Sequence, residues 1–158
     1  MIAAWSPPAD VRARNQIIGI YDFSPRSNAR PVYAICLDMA DHLFVKDIFE
    51  GRQDWCFDQL EMLQERYPGR GFAFHPLPRD LQVQVDEWAR HRGVTIWTKG
   101  TRDPKHHAHL GVIQHAIERG AIRLRPDLMI ENAAYLEALF YPWQWYHRPP
   151  IAVNYLVQ

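Results

Sequence analysis

The chain has 158 residues, which is enough for one domain with a proper apolar core. Hydrophobic residues make up 47% and aromatic residues 13%, so a disordered or low-complexity chain is excluded. Lys and Arg together number 18, as do Asp and Glu, and the formal net charge is zero. A neutral total excludes a strongly basic nucleic-acid binder, although it is compatible with a local cationic patch.

Three features predict a soluble protein of a reducing, intracellular compartment. Cys36 and Cys56 fall in a strand-like and a helix-like run without CxxC or zinc-ligand spacing, so both are interpreted as small core residues. Residues 1–15 lack the apolar core of a signal peptide and are interpreted as an N-terminal arm. No apolar run approaches the roughly 20 residues that span a membrane, so no membrane partner is expected.

The first half of the chain predicts three consecutive strands. Runs at 16–22, 31–38 and 42–49 are rich in β-branched and aromatic residues, and their short links indicate an antiparallel meander. The first run ends at Asp22, before the turn-rich segment 24–28. This pattern predicts a buried strand that delivers a carboxylate to the end of a sheet. An Asp that merely caps a strand-to-loop turn fits the pattern equally well.

The second half of the chain alternates helices and strands. Apolar positions at helical spacing predict helices over about 54–67, 80–92, 103–120 and 127–140. Strands are predicted at 71–75 and 94–98, and a short extra run lies at 121–124. Pro142 is predicted to end the last helix. The domain is therefore assigned to 16–142 and an aromatic C-terminal tail to 143–158.

This order of elements is typical of one fold class. Three antiparallel strands followed by alternating helices and strands predict an α/β, ribonuclease-H-like mixed sheet flanked by helices on both faces. The strand at 16–22 is expected to lie centrally in that sheet.

Two basic stretches are candidates for contact with nucleic acid. They comprise Lys99, Arg102, Lys105 and His106 in the first stretch and Arg119, Arg123 and Arg125 in the second. Arg123 and Arg125 share one face of a strand because side chains alternate, and both stretches would bind a DNA backbone if they flanked Asp22. His106 and His109 are three residues apart on a helix, which also suits a shared metal. A solvated surface is the simplest alternative.

The chain resembles the C-terminal nuclease domain of the large terminase subunit of tailed phages. The resemblance covers roughly 16–142. It rests on Gly19-Ile20-Tyr21-Asp22 at the first strand and on the segment from Lys105 to Leu124, a Lys, a short helix, a glutamate-Gly pair and a strand. It implies a hydrolase that cuts concatemeric DNA during packaging in the cytoplasm of a phage-infected or lysogenic bacterium. It also implies three acidic positions that hold two divalent metals, Mg or Mn, to activate water and steady the leaving oxygen.

Only the first of the three acidic positions is matched, by Asp22 as the catalytic and metal-binding residue. The fourth strand ends at His75 without a carboxylate, and the region after Pro142 contains no Asp or Glu. His75 and His147 could substitute for the missing ligands, although imidazole suits Zn, Mn or Ni better than Mg.

Two hypotheses follow from this incomplete match. In the first, the domain is a Mg- or Mn-dependent endodeoxyribonuclease centred on Asp22, with Asp103, Asp38 or His75 completing the site. In the second, it is a catalytically degenerate module without a cofactor that binds DNA or a phage or host protein.

Partners are expected on either hypothesis. The sequence contains no GxxxxGK[ST] phosphate loop and therefore no motor of that type. A neutral domain should bind free double-stranded DNA weakly and in a salt-sensitive way. The aromatic run Trp143–Tyr146 predicts a surface that docks on a motor, a portal or another protein, or on a second copy of the chain.

Overall fold

The computed structural model describes residues 16–23, 30–53, 56–69, 71–97 and 106–146, without the side chains of 106–109 and 145. The strands are β1 (Gln16–Tyr21), β2 (Val32–Asp38), β3 (Leu43–Glu50), β4 (Gly71–Phe74), β5 (Thr95–Trp97) and β6 (Ile122–Leu124). The helices are α1 (Phe57–Arg66), α2 (Arg79–Arg92), α3 (His106–Glu118) and α4 (Ala133–Tyr146). None of these helices is long and apolar enough to cross a membrane.

The strands form one mixed sheet in the order β5-β4-β1-β2-β3-β6, so β1 is central. Strands β1, β2 and β3 are antiparallel neighbours. Strands β4 and β5 continue parallel to β1, and β6 is parallel to β3. This topology confirms the predicted ribonuclease-H-like class, including the short extra strand before the last helix.

Each face of the sheet carries a separate apolar core because neighbouring residues of a strand point to opposite faces. Ile18 and Ile20 of β1 pack with residues of α1 and α2, whereas Ile17 packs with residues of α3 and α4. Helices therefore cover both faces, as predicted.

Helix α4 crosses the central strand at Gly19. A Cβ atom on Gly19 would lie 2.6 Å from Pro142 Cγ and closer still to the carbonyl oxygen of Ala138, so a side chain has no room here. Proline has no N–H to donate to the carbonyl four residues earlier, which is that of Ala138. The prediction that Pro142 ends the helix is wrong, because α4 continues through it to Tyr146.

The last turn of α4 belongs to the domain. Trp143 is 4% exposed, and its ring stacks on Tyr146 with centroids 5.4 Å apart. The Tyr146 hydroxyl donates to the Ala40 carbonyl over 3.1 Å and joins α4 to the turn between β2 and β3. The first residues of the predicted aromatic tail therefore extend the helix, and Trp143 is a core residue. Residues 147–158 lie outside the described part of the chain.

The sheet has two ends that are distinguished throughout. The carboxyl end is where β1 and its parallel neighbour β4 finish, and Glu50 at the end of β3 pairs with Val32 beside Tyr21 there. The amino end is where β1 begins, beside the turn that joins Asp38 to Leu43.

Candidate functional site

Asp22 lies at the carboxyl end, directly after β1. Its φ angle is 63°, in the left-handed region that Asp adopts more readily than most residues other than glycine. The side chain is half-buried. The turn-capping interpretation of Asp22 thus has a physical basis, and the same turn leaves its carboxylate at the end of the central strand.

His75 reaches the same end from β4. Its backbone N–H donates to the Ile20 carbonyl over 2.8 Å, which continues the parallel ladder by one step. Its ring lies between two tyrosines, edge to face with Tyr21 at 4.9 Å and with Tyr141 at 5.5 Å between centroids. Such edge-to-face contacts are favourable, so the two phenol rings fix the position of the imidazole.

Glu137 on α4 is the residue that sequence reasoning missed. It is 1% exposed, and both of its carboxylate oxygens are buried. Burial first, and then the negative charge of Glu137, raises the pKa of the Tyr21 phenol, to which Asp22 also contributes. The same two leading causes raise the pKa of Tyr141. Glu137 therefore lies close to both tyrosines and to the end of β1.

The sequence carries a signal for Glu137, because it is the single charged residue in the mostly apolar segment Ala133–Tyr146. A charge in such a segment is costly to bury and is retained where it has neighbours of suitable chemistry. The resemblance places the third acid after Pro142, whereas Glu137 lies five residues before it.

Two carboxylates and an imidazole form a donor set that a metal such as Mn²⁺ accepts. Within the described residues, however, no three Asp, Glu, His or Cys side chains are arranged to hold a metal ion. A two-metal centre depends on carboxylates that bridge both ions. A complete centre of the kind that the terminase resemblance implies would need further ligands beside Asp22, His75 and Glu137.

The other candidates are either placed away from Asp22 or lie outside the described part of the chain. Asp38 pairs with Leu43 at the amino end of the sheet, so the structure does not bring its carboxylate to the site. Asp103, Lys99, Arg102 and Lys105 lie outside the described residues. His106 is the first residue of α3, and its side chain is not described.

Arg123 and Arg125 also lie far from Asp22. Arg123 pairs with Phe44, which pairs with Leu37 at the amino end. Three strand spacings separate β6 from β1, roughly 14 Å. The Arg123 side chain donates to the Gly120 carbonyl over 3.0 Å, and Arg125 donates to Asp127 over 2.6 Å. These two cations therefore do not flank Asp22.

Three other arginines lie at the carboxyl end. Arg30 precedes β2, Arg52 follows β3 and Arg79 begins α2, and all three are exposed. They are scattered in the sequence and lie near acidic residues such as Glu50 and Asp80, so no basic stretch of the sequence indicates them. The strand order places Arg30 and Arg52 at the carboxyl end on one side of β1, and Arg79, which follows β4, on the other side.

Comparison with known proteins gives a structural likeness alone. No protein-family model matches the sequence, and no curated protein is similar enough to count as a match. The large terminase of a thermophilic bacteriophage is similar in two crystal forms. Crystal form 2 gives a TM-score of 0.55 at 10% identity over 85% of this chain and 39% of the terminase. Crystal form 3 gives 0.56 at 8% identity over 90% and 41%.

These values establish a terminase-like, ribonuclease-H-like fold. The chain spans about two fifths of the length of the terminase, so the likeness concerns one part of that protein.

Proposed function

We propose that the chain is a nuclease-like module of the terminase type that binds double-stranded phage DNA during genome packaging. The DNA-binding surface is the carboxyl end of the sheet. The proposal is supported by the terminase-like fold over most of the chain. A motor, portal or other packaging protein would present the DNA to the domain in the host cytoplasm.

The observation that carries the proposal is the group of exposed arginines Arg30, Arg52 and Arg79 around the end of β1. Guanidinium groups bind phosphate through two parallel hydrogen bonds, and each phosphate contact releases a condensed counterion. A neutral chain with a few such contacts has a modest affinity that falls as salt rises, which suits a domain that works beside a motor.

Duplex binding tests this proposal directly. Fluorescence anisotropy with a labelled duplex at increasing salt should show binding by the wild-type chain. Arg79→Ala should lower the slope of log K against log salt by about 1, as expected for one lost phosphate contact. Arg90→Ala is the matched control, because Arg90 is exposed in the last turn of the same helix. Absence of duplex binding, or equal losses in both variants, would contradict the proposal.

Metal-dependent cleavage is the second candidate function, and the two carboxylates beside Tyr21 favour it. The test is nicking of a supercoiled plasmid with Mg²⁺ or Mn²⁺ by the wild-type chain and by Asp22→Asn. Asn tolerates the left-handed turn as Asp does, so this variant removes charge while keeping the backbone. Cleavage that is lost in Asp22→Asn would establish the nuclease, whereas a wild-type chain inactive with both metals would leave the DNA-binding module alone.

A further inference from the structure

A cleft of about 780 Å³ opens at the carboxyl end of the sheet, between the end of β3 and the start of α1. This volume is within the range of small-molecule sites, about 300–1,000 Å³. The cleft is two strand spacings from β1, roughly 10 Å across the sheet. It is separate from the Asp22, His75 and Glu137 group.

One wall of the cleft is held rigidly by Gln59, which is 3% exposed. Its Oε1 atom accepts the Tyr33 hydroxyl over 2.6 Å and the Arg52 backbone N–H over 3.2 Å, which fixes the orientation of the amide. A Cβ on Gly51 would lie 2.6 Å from this oxygen and closer still to the Tyr33 ring. The glycine therefore lets the loop after β3 pack directly on the wall.

The rest of the lining combines charge with apolar surface. Arg30 and Arg52 are exposed, and Arg52 Nη2 donates to Cys56 Sγ over 2.9 Å. Phe49 is half-buried, with its ring edge to face on Tyr33 at 5.7 Å. Met62 is 40% exposed and extends the apolar surface.

Carboxylates limit which ligand the cleft accepts. Glu50 and Asp58 are both exposed and line the cleft beside the arginines. Several phosphates seated together inside the cleft would meet these two negative charges, and a purely apolar ligand would strip water from the guanidinium groups. The lining instead suits a molecule with one anionic group, one flat apolar face and an edge of donors and acceptors.

We propose that this cleft binds one nucleotide of a single DNA strand. Arg30 and Arg52 hold its phosphate, and Phe49 and Met62 contact the face of the base. The carboxylate of Glu50 accepts from an N–H on the edge of the base, which is an amino group or, in thymine, the ring N3–H. The inference deepens the proposed function and rests on it, because a strand that separates from a duplex at the carboxyl end of β1 lies within one or two nucleotides of the cleft.

Cys56 supplies a probe beside the cleft. Its thiol is half-buried and in contact with Arg52, whereas Cys36 is fully buried and burial raises the pKa of its thiol. An anionic thiol reagent should therefore label Cys56 in the folded chain and leave Cys36 unlabelled. Thymidine 5′-monophosphate and a short oligothymidylate should both slow this labelling, because a bound phosphate repels the anionic reagent.

Control ligands distinguish a nucleotide site from a site for phosphate alone or for a nucleoside alone. Thymidine 5′-monophosphate must protect Cys56 better than inorganic phosphate or thymidine does at the same concentration. Equal protection by inorganic phosphate, or no protection by any of the three, would overturn the nucleotide site. Arg52→Ala removes the hydrogen bond to the thiol as well as a cation, so its nucleotide affinity is measured by calorimetry instead. The expected loss is roughly tenfold, the value of one charged hydrogen bond, with Arg90→Ala unchanged.

The outcomes for the cleft and for the proposed function are distinct. A wild-type chain that binds the duplex but neither thymidine 5′-monophosphate nor the oligothymidylate overturns the nucleotide site in the cleft and leaves the proposed function intact. A chain that binds the nucleotide but no duplex supports the cleft and overturns the proposed function.

Discussion

The polar and charged side chains at the two ends of the sheet make different kinds of contact. At the amino end, polar side chains bond to neighbouring loops, as Gln16 Nε2 does to the Pro68 carbonyl over 2.9 Å and His42 Nδ1 to Asp41 over 2.7 Å. At the carboxyl end, the exposed Arg30 and Arg52 line a cleft, and the His75 ring lies edge to face with two tyrosine rings. The amino end is therefore held by side-chain contacts to its loops, and the carboxyl end is where we propose that DNA binds.

A left-handed residue other than glycine marks each end. At the amino end Ala40 has φ 73°, and its N–H donates to Asp38 Oδ1 over 3.0 Å while its carbonyl accepts the Tyr146 hydroxyl. At the carboxyl end the residue is Asp22. An alanine in this region is strained and persists where its surroundings hold it, whereas an aspartate tolerates it. The contrast supports a structural role for the first turn and room for a chemical role at the second.

The largest expected effect on stability comes from disrupting the close packing of α4 on β1 at Gly19, between the two ends of the sheet. Gly19→Ala should lower the free energy of unfolding by about 3 kcal/mol, because the added methyl group overlaps the backbone of α4. Chemical denaturation measures this loss. Gly111→Ala is the control: its Cβ would meet nothing within 4 Å, and alanine in a helix should add about 0.5–1 kcal/mol. Equal effects of the two variants would refute the close crossing.

A smaller effect tests the amino end alone. Tyr146→Phe removes the hydrogen bond to Ala40 and should cost about 1 kcal/mol of unfolding free energy. Duplex affinity should stay at the wild-type value, because the bond lies at the opposite end from the arginines. A variant of unchanged stability that binds DNA less tightly would reverse the roles assigned to the two ends.

The smallest effect concerns alkaline pH at the carboxyl end. The pKa values of Tyr21 and Tyr141 are raised by burial and by Glu137, while an unfolded tyrosine titrates near pH 10. Stability from these groups is therefore full below about pH 10 and falls as pH rises through the higher folded values. Glu137→Gln should lower both pKa values, which tyrosinate absorbance against pH would record. An unchanged titration curve would show that Glu137 does not act on these phenols.

The sequence predicts the fold well for a physical reason. Period-two runs and helical stripes are local patterns, so the order of elements and the central strand ending at Asp22 follow from them. The prediction for Pro142 was wrong because α4 tolerates a proline at this position. Pro142 cannot donate to the Ala138 carbonyl, and this carbonyl instead packs directly over Gly19.

The site was predicted less well because it depends on register. Asp22 and His75 end parallel neighbours and could be placed together from the sequence. Glu137 arrives from a helix far along the chain, and the period-two match of Arg123 and Arg125 says nothing about which end of the sheet they occupy. Sequence spacing predicts which residues share a face, and only the pairing of strands decides which residues share an end.

A comparison of two variants with the same net charge tests the central claim most directly. One carries Arg30→Ala, Arg52→Ala and Arg79→Ala at the carboxyl end. The other carries Arg66→Ala, Arg119→Ala and Arg123→Ala, which remove exposed cations near the amino end. Each loses three positive charges, so a non-specific effect of net charge is equal in both.

Duplex affinity is measured for both variants in one buffer, after denaturation has shown that each is folded. We expect the carboxyl-end variant to lose most of its duplex affinity and the amino-end variant to bind the duplex nearly as the wild type does. Equal affinities in the two variants, or a greater loss in the amino-end variant, would contradict the claim that DNA binds at the carboxyl end of the sheet.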